Sequence, residues 1–168
     1  MLLPFFKWME SLAVYDASIY LGPGVNIVHL CAMVTFLGAL MVVDLRLLGV
    51  GLTHQPVAVV ANDARPWLIG ALVMLFLTGI PAMMATATAQ YGNSIFWTKM
   101  WLLGLGLLFT FTVRNRVAFG EAGRAGGGTA KLVGLASIVI WLGVAALARL
   151  IMMIPGNTFE WLVGASVS

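Results

Sequence analysis

Four apolar stretches, each long enough to cross the hydrocarbon core of a bilayer, constrain this chain more than any other feature. A helical crossing takes about 20 residues with few charges. Charged residues are 9% of the chain and apolar residues 61%, so lipid must cover most of the surface that a soluble domain would expose to water. We therefore predict an all-α membrane protein, a four-transmembrane-helix up-down bundle. The predicted spans are 24–48, 67–86, 96–113 and 132–154.

The segments outside these spans are too short or too polar to cross the bilayer, so residues 1–168 are predicted to form a single integral membrane domain. Before the first span, apolar residues recur at helical spacing with Lys7 and Glu10 between them. This pattern favours an amphipathic helix at the membrane interface within residues 1–22. Residues 155–168 are predicted to form a shorter interfacial tail.

The basic residues are distributed unevenly between the two ends of the predicted bundle. Segments 45–66 and 113–131 contain six of the nine Lys and Arg residues, whereas Lys7 is the one basic residue in the segments at the other end. Because basic loops face the cytoplasm, we expect a bacterial inner-membrane protein with both termini periplasmic and two cytoplasmic loops. The basic residues form no continuous stripe, so the expected partner is the lipid bilayer and not nucleic acid.

Three ionisable side chains in the predicted spans are candidate functional residues, because such groups are costly in a bilayer unless paired. His29 lies about one turn into the first span, Lys99 about one turn into the third, and Arg149 about one and a half turns before the end of the fourth. All three therefore fall in the same leaflet. Haem b would supply iron for the imidazole of His29 and propionates for Lys99 and Arg149.

Two other interpretations of these residues remain open. Lys99 and Arg149 are near enough to helix ends to reach lipid phosphates, and His29 would then hydrogen-bond to a neighbouring helix. Alternatively, imidazole and thioether groups would suit Cu(I), a soft ion. A haem with two histidine ligands is disfavoured, since His54 would lie about 37 Å from His29 if the chain between them is helical. The candidate metal ligands are His29, Met83, Met84 and Met100, with Met152 and Met153 in the same leaflet.

Charged residues at the other end of the bundle are interpreted as structural. Asp44 and Arg46 are two residues apart and cannot face each other along one helix. We expect Asp44 to pair with Arg114 or Arg116, and Arg46 with Asp63.

Two segments carry a resemblance to known proteins. The first is VHLCAMVTFLGALMVVDLRLLG and the second is FWTKMWLLGLGLLFTFTVRNRV. They resemble a loose group of small bacterial four-helix membrane proteins that includes the copper-resistance D (CopD) family, the HemJ-type protoporphyrinogen oxidase and several families of unknown function. The HemJ-type resemblance implies haem b at His29 and a functional role for Lys99. The CopD resemblance implies copper passage.

Together these features predict a haem-b-binding subunit that passes electrons between a periplasm-facing protein partner in a membrane redox complex and quinone. The alternatives are a CopD-like copper transport protein and a non-catalytic anchor subunit. A redox subunit or anchor is favoured over an autonomous enzyme, because the spans contain no paired carboxylates and no nucleophile with an adjacent base.

Overall fold

The computed structural model describes residues 3–12, 21–85, 87–121, 123 and 126–153. Every regular element in this part of the chain is helical, which confirms the predicted all-α class. The predicted tail 155–168 lies outside the described residues, as do residues 13–20 of the interfacial segment. The helices are α1 (Leu3–Ser11), α2 (Leu21–Leu48), α3 (Val57–Ala85), α4 (Ala87–Tyr91), α5 (Ser94–Phe109), α6 (Asn115–Phe119) and α7 (Gly128–Met153), with a π-helical turn at Thr110–Arg114.

Four helices are long and apolar enough to cross a membrane, in agreement with the predicted four spans. They cover Pro23–Leu48, Val57–Ala85, Ser94–Phe119 and Gly128–Ile151. The second span begins ten residues earlier than predicted, and Pro66 lies inside α3 instead of at its start. The helix continues because Val57, Val60 and other residues before the proline are buried, so packing stabilises the extra turns.

The long helices alternate in direction. α2 packs along α3 and α7, and α7 packs along α5, whereas α3 meets the third span chiefly through α6. We call the end where α2 begins the histidine end, since it contains His29. We call the opposite end, where α2 finishes, the ion-pair end. Gly49 follows α2 there with a φ of +78°, a left-handed conformation that commonly terminates helices.

A buried ion pair joins three spans at the ion-pair end. Arg114 Nε donates to Asp44 Oδ1 at 2.5 Å, and Arg114 Nη2 donates to the Leu40 carbonyl at 3.0 Å. Ser137 Oγ donates to the second oxygen of Asp44 at 2.6 Å. This confirms one of the two predicted partners for Asp44. The predicted pairing of Arg46 with Asp63 is not found in the described chain, where Arg46 Nε instead donates to the Gln55 carbonyl at 2.6 Å.

The π-helical turn supports this arrangement from the third span. It contains Thr110 and Arg114, which are both buried although they belong to a lipid-crossing segment. Trp141 Nε1 donates to Thr110 Oγ1 at 3.0 Å, and the Trp141 ring packs edge-on against Phe36. The centre of the bundle is thus filled by aromatic and aliphatic side chains that separate its two ends.

We predict that removing one partner of the ion pair destabilises the bundle. Asp44→Asn or Arg114→Met should each lower the free energy of unfolding by about 3–5 kcal/mol, because the remaining charge is left buried without its partner. Unfolding of the full chain by sodium dodecyl sulfate in detergent micelles would measure this. Asp63→Asn is the control, since it removes an exposed carboxylate and should leave the free energy of unfolding unchanged. An equal loss of stability in Asp44→Asn and Asp63→Asn would contradict the prediction.

A second prediction concerns Gly134, where α7 lies directly against α2. A Cβ at this position would lie 2.9 Å from the Asp44 carbonyl oxygen and 3.1 Å from Leu47 Cβ. Gly134→Ala should therefore destabilise the bundle by about 1–3 kcal/mol through overpacking. Gly104→Ala is the matched control, since nothing lies within 4 Å of its Cβ position. In the same assay the control should keep the free energy of unfolding of the parent. An unchanged free energy of unfolding in Gly134→Ala would contradict the prediction.

Candidate functional site

His29 lies on the interior face of α2, two turns before the buried Phe36. Its Nδ1 is 2.7 Å from Thr78 Oγ1 on α3. The Thr78 hydroxyl in turn donates to the Met74 carbonyl, one turn earlier in the same helix, at 2.6 Å. No hydrogen bond from the described residues reaches Nε2 of His29.

A glycine makes room for the imidazole. A Cβ at Gly79 would lie 3.1 Å from His29 Cε1, closer than the ring would tolerate without moving. The contacts of Thr78 and Gly79 with His29 were not predicted from the sequence, because a threonine followed by a glycine in an apolar helix is typical of ordinary packing. The available signal was position, since both lie near the α3 terminus that the up-down topology brings beside the start of α2.

Lys99 approaches the same region from α5. Its side chain is half-buried, and its charge interacts electrostatically with the His29 ring. No hydrogen bond or ion pair within the described segments involves its ammonium group. The structure therefore brings two of the three predicted site residues into the same region. No described residue hydrogen-bonds to His29 Nε2, and none pairs with the Lys99 ammonium.

Arg149 is placed differently. Its side chain is exposed on α7, and it forms no hydrogen bond or ion pair with the described part of the chain. The predicted contact between Arg149 and a propionate is not tested by this arrangement and stays a prediction.

The three predicted methionine ligands gather at the histidine end. Met83, Met84 and Met100 are partly buried, and they pack against a small cluster made by α1, α4 and α5. The side chains of Met152 and Met153 lie outside the described residues. Among the described positions, no group of three or more His, Cys, Asp or Glu residues could hold a metal ion. Within the described residues, the candidate metal ligands at this end are His29 and the thioether sulfurs.

Helix α1 covers the histidine end. Phe6 and Met9 are buried, and the Phe6 ring lies 5.1 Å from that of Tyr91 and 6.2 Å from that of Trp97 between centroids. The Glu10 carboxylate accepts hydrogen bonds from the backbone N–H and the hydroxyl of Thr88. The predicted amphipathic helix is thus present, but one of its faces packs on protein while Phe5 and Trp8 remain exposed.

A family model described as a family of unknown function (DUF6644) matches residues 5–154. The chain belongs to this family. The DUF6644 match includes α1 from residue 5 onward and all four spans, so His29, Thr78, Lys99 and Arg149 lie within the family region. No curated protein and no solved structure matches the chain.

We predict that the Glu10 carboxylate holds α1 against the histidine end. Glu10→Gln should weaken the bonds to Thr88 by about 1 kcal/mol and accelerate amide exchange in residues 3–11 about fivefold. Hydrogen exchange followed by mass spectrometry would measure this. Glu121→Gln removes an exposed carboxylate elsewhere and should leave that exchange unchanged. Unaltered exchange in Glu10→Gln would show that the apolar contacts alone hold α1.

Proposed function

We propose that this DUF6644 protein is a membrane subunit that binds haem b through His29 and transfers electrons between a periplasm-facing redox partner and quinone. The observation that carries the proposal is that His29 Nε2 and the Lys99 ammonium lie inside the bundle without a hydrogen-bond or ion-pair partner among the described residues. Such groups are costly at membrane depth unless a ligand engages them. Haem would satisfy both groups, since its iron accepts an electron pair and its propionates carry negative charge.

The residues present fit haem b by this criterion. His29 Nε2 has no hydrogen-bond partner in the described chain and would bind iron, while Nδ1 is held by Thr78, as is common for metal-ligating histidines. Lys99 would hold a propionate, and Arg149 would hold the second from its exposed position. Leu75, Met83 and Met100 offer apolar surface near this region. Haem b supplies one-electron transfer when bound.

The distribution of charge supports the proposed orientation. The ion-pair end contains the exposed cations Arg65, Arg116 and Lys131, in keeping with a cytoplasmic face. The histidine end would then face the periplasm in a bacterial inner membrane. The exposed Phe5 and Trp8 of α1 would provide an apolar surface there for the headgroup region or for a redox partner.

Copper binding is the second candidate function, and the methionine cluster is the observation that favours it. Met83, Met84 and Met100 lie at the same end as His29, and thioether and imidazole ligands suit Cu(I). Phe36, Leu40 and Trp141 fill the centre of the bundle beyond this site. The copper alternative, which follows the resemblance to CopD, is therefore better supported as binding at one end than as a continuous path across the membrane.

The decisive experiment is a dithionite-reduced minus air-oxidised visible spectrum of the full chain, produced with ample haem and purified in mild detergent. We expect a b-type α-band in the parent and its loss in His29→Ala, because the axial ligand is removed. His54→Ala is the matched control, since His54 is exposed in the loop between α2 and α3. It should retain the full band.

The other outcomes separate the alternatives. A parent protein without a band would reject haem, and bound copper that is lost in Met83→Leu and His29→Ala would then support the second candidate. A band that persists in His29→Ala would reject His29 as the ligand. Absence of both cofactors would favour a non-catalytic anchor.

A further inference from the structure

We infer that Thr78 and Gly79 are positioning residues for His29, and that they select Nε2 as the reactive nitrogen of its imidazole. The identity of the ligand that Nε2 would bind rests on the proposed function. The assignment of the ring proton rests only on the contacts between α2 and α3.

The hydrogen-bond chain from the ring to the α3 backbone has a single consistent direction. A carbonyl oxygen only accepts, so the Thr78 hydroxyl, 2.6 Å from the Met74 carbonyl, donates its one proton there. The same oxygen lies 2.7 Å from His29 Nδ1 and must accept from it. The ring therefore carries its proton on Nδ1. Because a neutral imidazole has only one N–H, Nε2 is left with a free electron pair.

Gly79 allows the ring to come close enough for this bond. A Cβ at Gly79 would lie 3.1 Å from Cε1 and 3.7 Å from Nδ1, on the edge of the ring that meets Thr78. A larger side chain would push that edge away and lengthen the bond from Nδ1. The two neighbouring residues therefore act together: Thr78 accepts the hydrogen bond, and Gly79 has no side chain to displace the ring.

Comparison with Thr35 shows that the contact with Thr78 is not a general property of threonines in this bundle. The Thr35 hydroxyl donates to the Cys31 carbonyl at 2.9 Å, four residues earlier in α2, as threonines in helices commonly do. Its side chain is exposed, and no ring is hydrogen-bonded to it among the described residues. Thr35 is therefore a matched control with the same local bond and without the histidine.

The first test measures the ring proton directly and uses no haem. Full-length protein labelled with ¹⁵N-histidine is prepared in detergent, with His54→Gln so that His29 gives the one histidine signal. We expect the proton on Nδ1 in the parent and in Thr78→Ser, which keeps the hydroxyl. Thr78→Val should lose this preference, Gly79→Ala should weaken it, and Thr35→Val should behave as the parent. A proton on Nε2 in the parent, or an unchanged ring in Thr78→Val, would overturn the inference.

The second test asks what the free nitrogen does, with hemin as the probe. Loss of a group that orients a metal-binding histidine typically weakens binding about 10–100-fold. Hemin titration of Thr78→Val should show a loss of this size, whereas Thr78→Ser and Thr35→Val should bind as the parent does. Equal affinity in Thr78→Val and the parent would overturn the positioning role in haem binding.

The two tests distinguish failure of the inference from failure of the proposed function. An Nδ1 proton that depends on Thr78, in a protein that binds no hemin, would reject the haem proposal and uphold the selection of Nε2. Hemin binding through His29 with no dependence on Thr78 would uphold the haem proposal and reject the inference. If Thr78→Val folds poorly, Gly79→Ala still tests the inference, because it keeps the Thr78 hydroxyl and only displaces the ring edge. Thr78→Ser then shows that the hydroxyl is sufficient for the proton preference.

Discussion

The bundle depends on a buried ion pair between Asp44 and Arg114. In a region without water, each charge requires a partner, and each remaining lone pair or N–H needs a hydrogen bond. Ser137 and the Leu40 carbonyl meet these needs, so α2, the third span and α7 can approach each other only in one register. Two local features accompany this arrangement: the π-helical turn contains Arg114, and the missing side chain at Gly134 lets α7 lie directly against the Asp44 backbone.

The centre of the bundle makes its two ends chemically independent. Phe36, Leu40 and Trp141 are buried between them, and the polar contact of Trp141 is satisfied within the protein by Thr110. No chain of ionisable groups among the described residues links the ion pair to His29. This separation favours functions in which chemistry occurs at one end of the membrane, such as holding a redox cofactor, over those that need a polar path through the bilayer.

Sequence alone could predict the features that follow from composition and periodicity. The four spans required only long apolar stretches. The cost of burying a charge alone predicted that Asp44 pairs with Arg114 or Arg116, and the structure selects Arg114. The start of α3 was harder, because packing of Val57 and Val60 carries the helix past Pro66. The partners of His29 were not predictable from local pattern. Thr78 lies 49 residues away in sequence, and its importance arises only when α2 and α3 are placed side by side.

The contrast between the two ends is the main argument that the histidine end has a function beyond stability. At the ion-pair end, the buried charges have been brought into contact and hydrogen-bonded. At the histidine end, Thr78 holds one side of the ring. Among the described residues, none hydrogen-bonds to the other ring nitrogen and none supplies a counter-charge for Lys99. A purely structural site would gain stability by pairing these groups, as Asp44 and Arg114 are paired. The proposed binding site would use both groups, because a bound haem would supply an electron-pair acceptor for the imidazole and an anion for the ammonium.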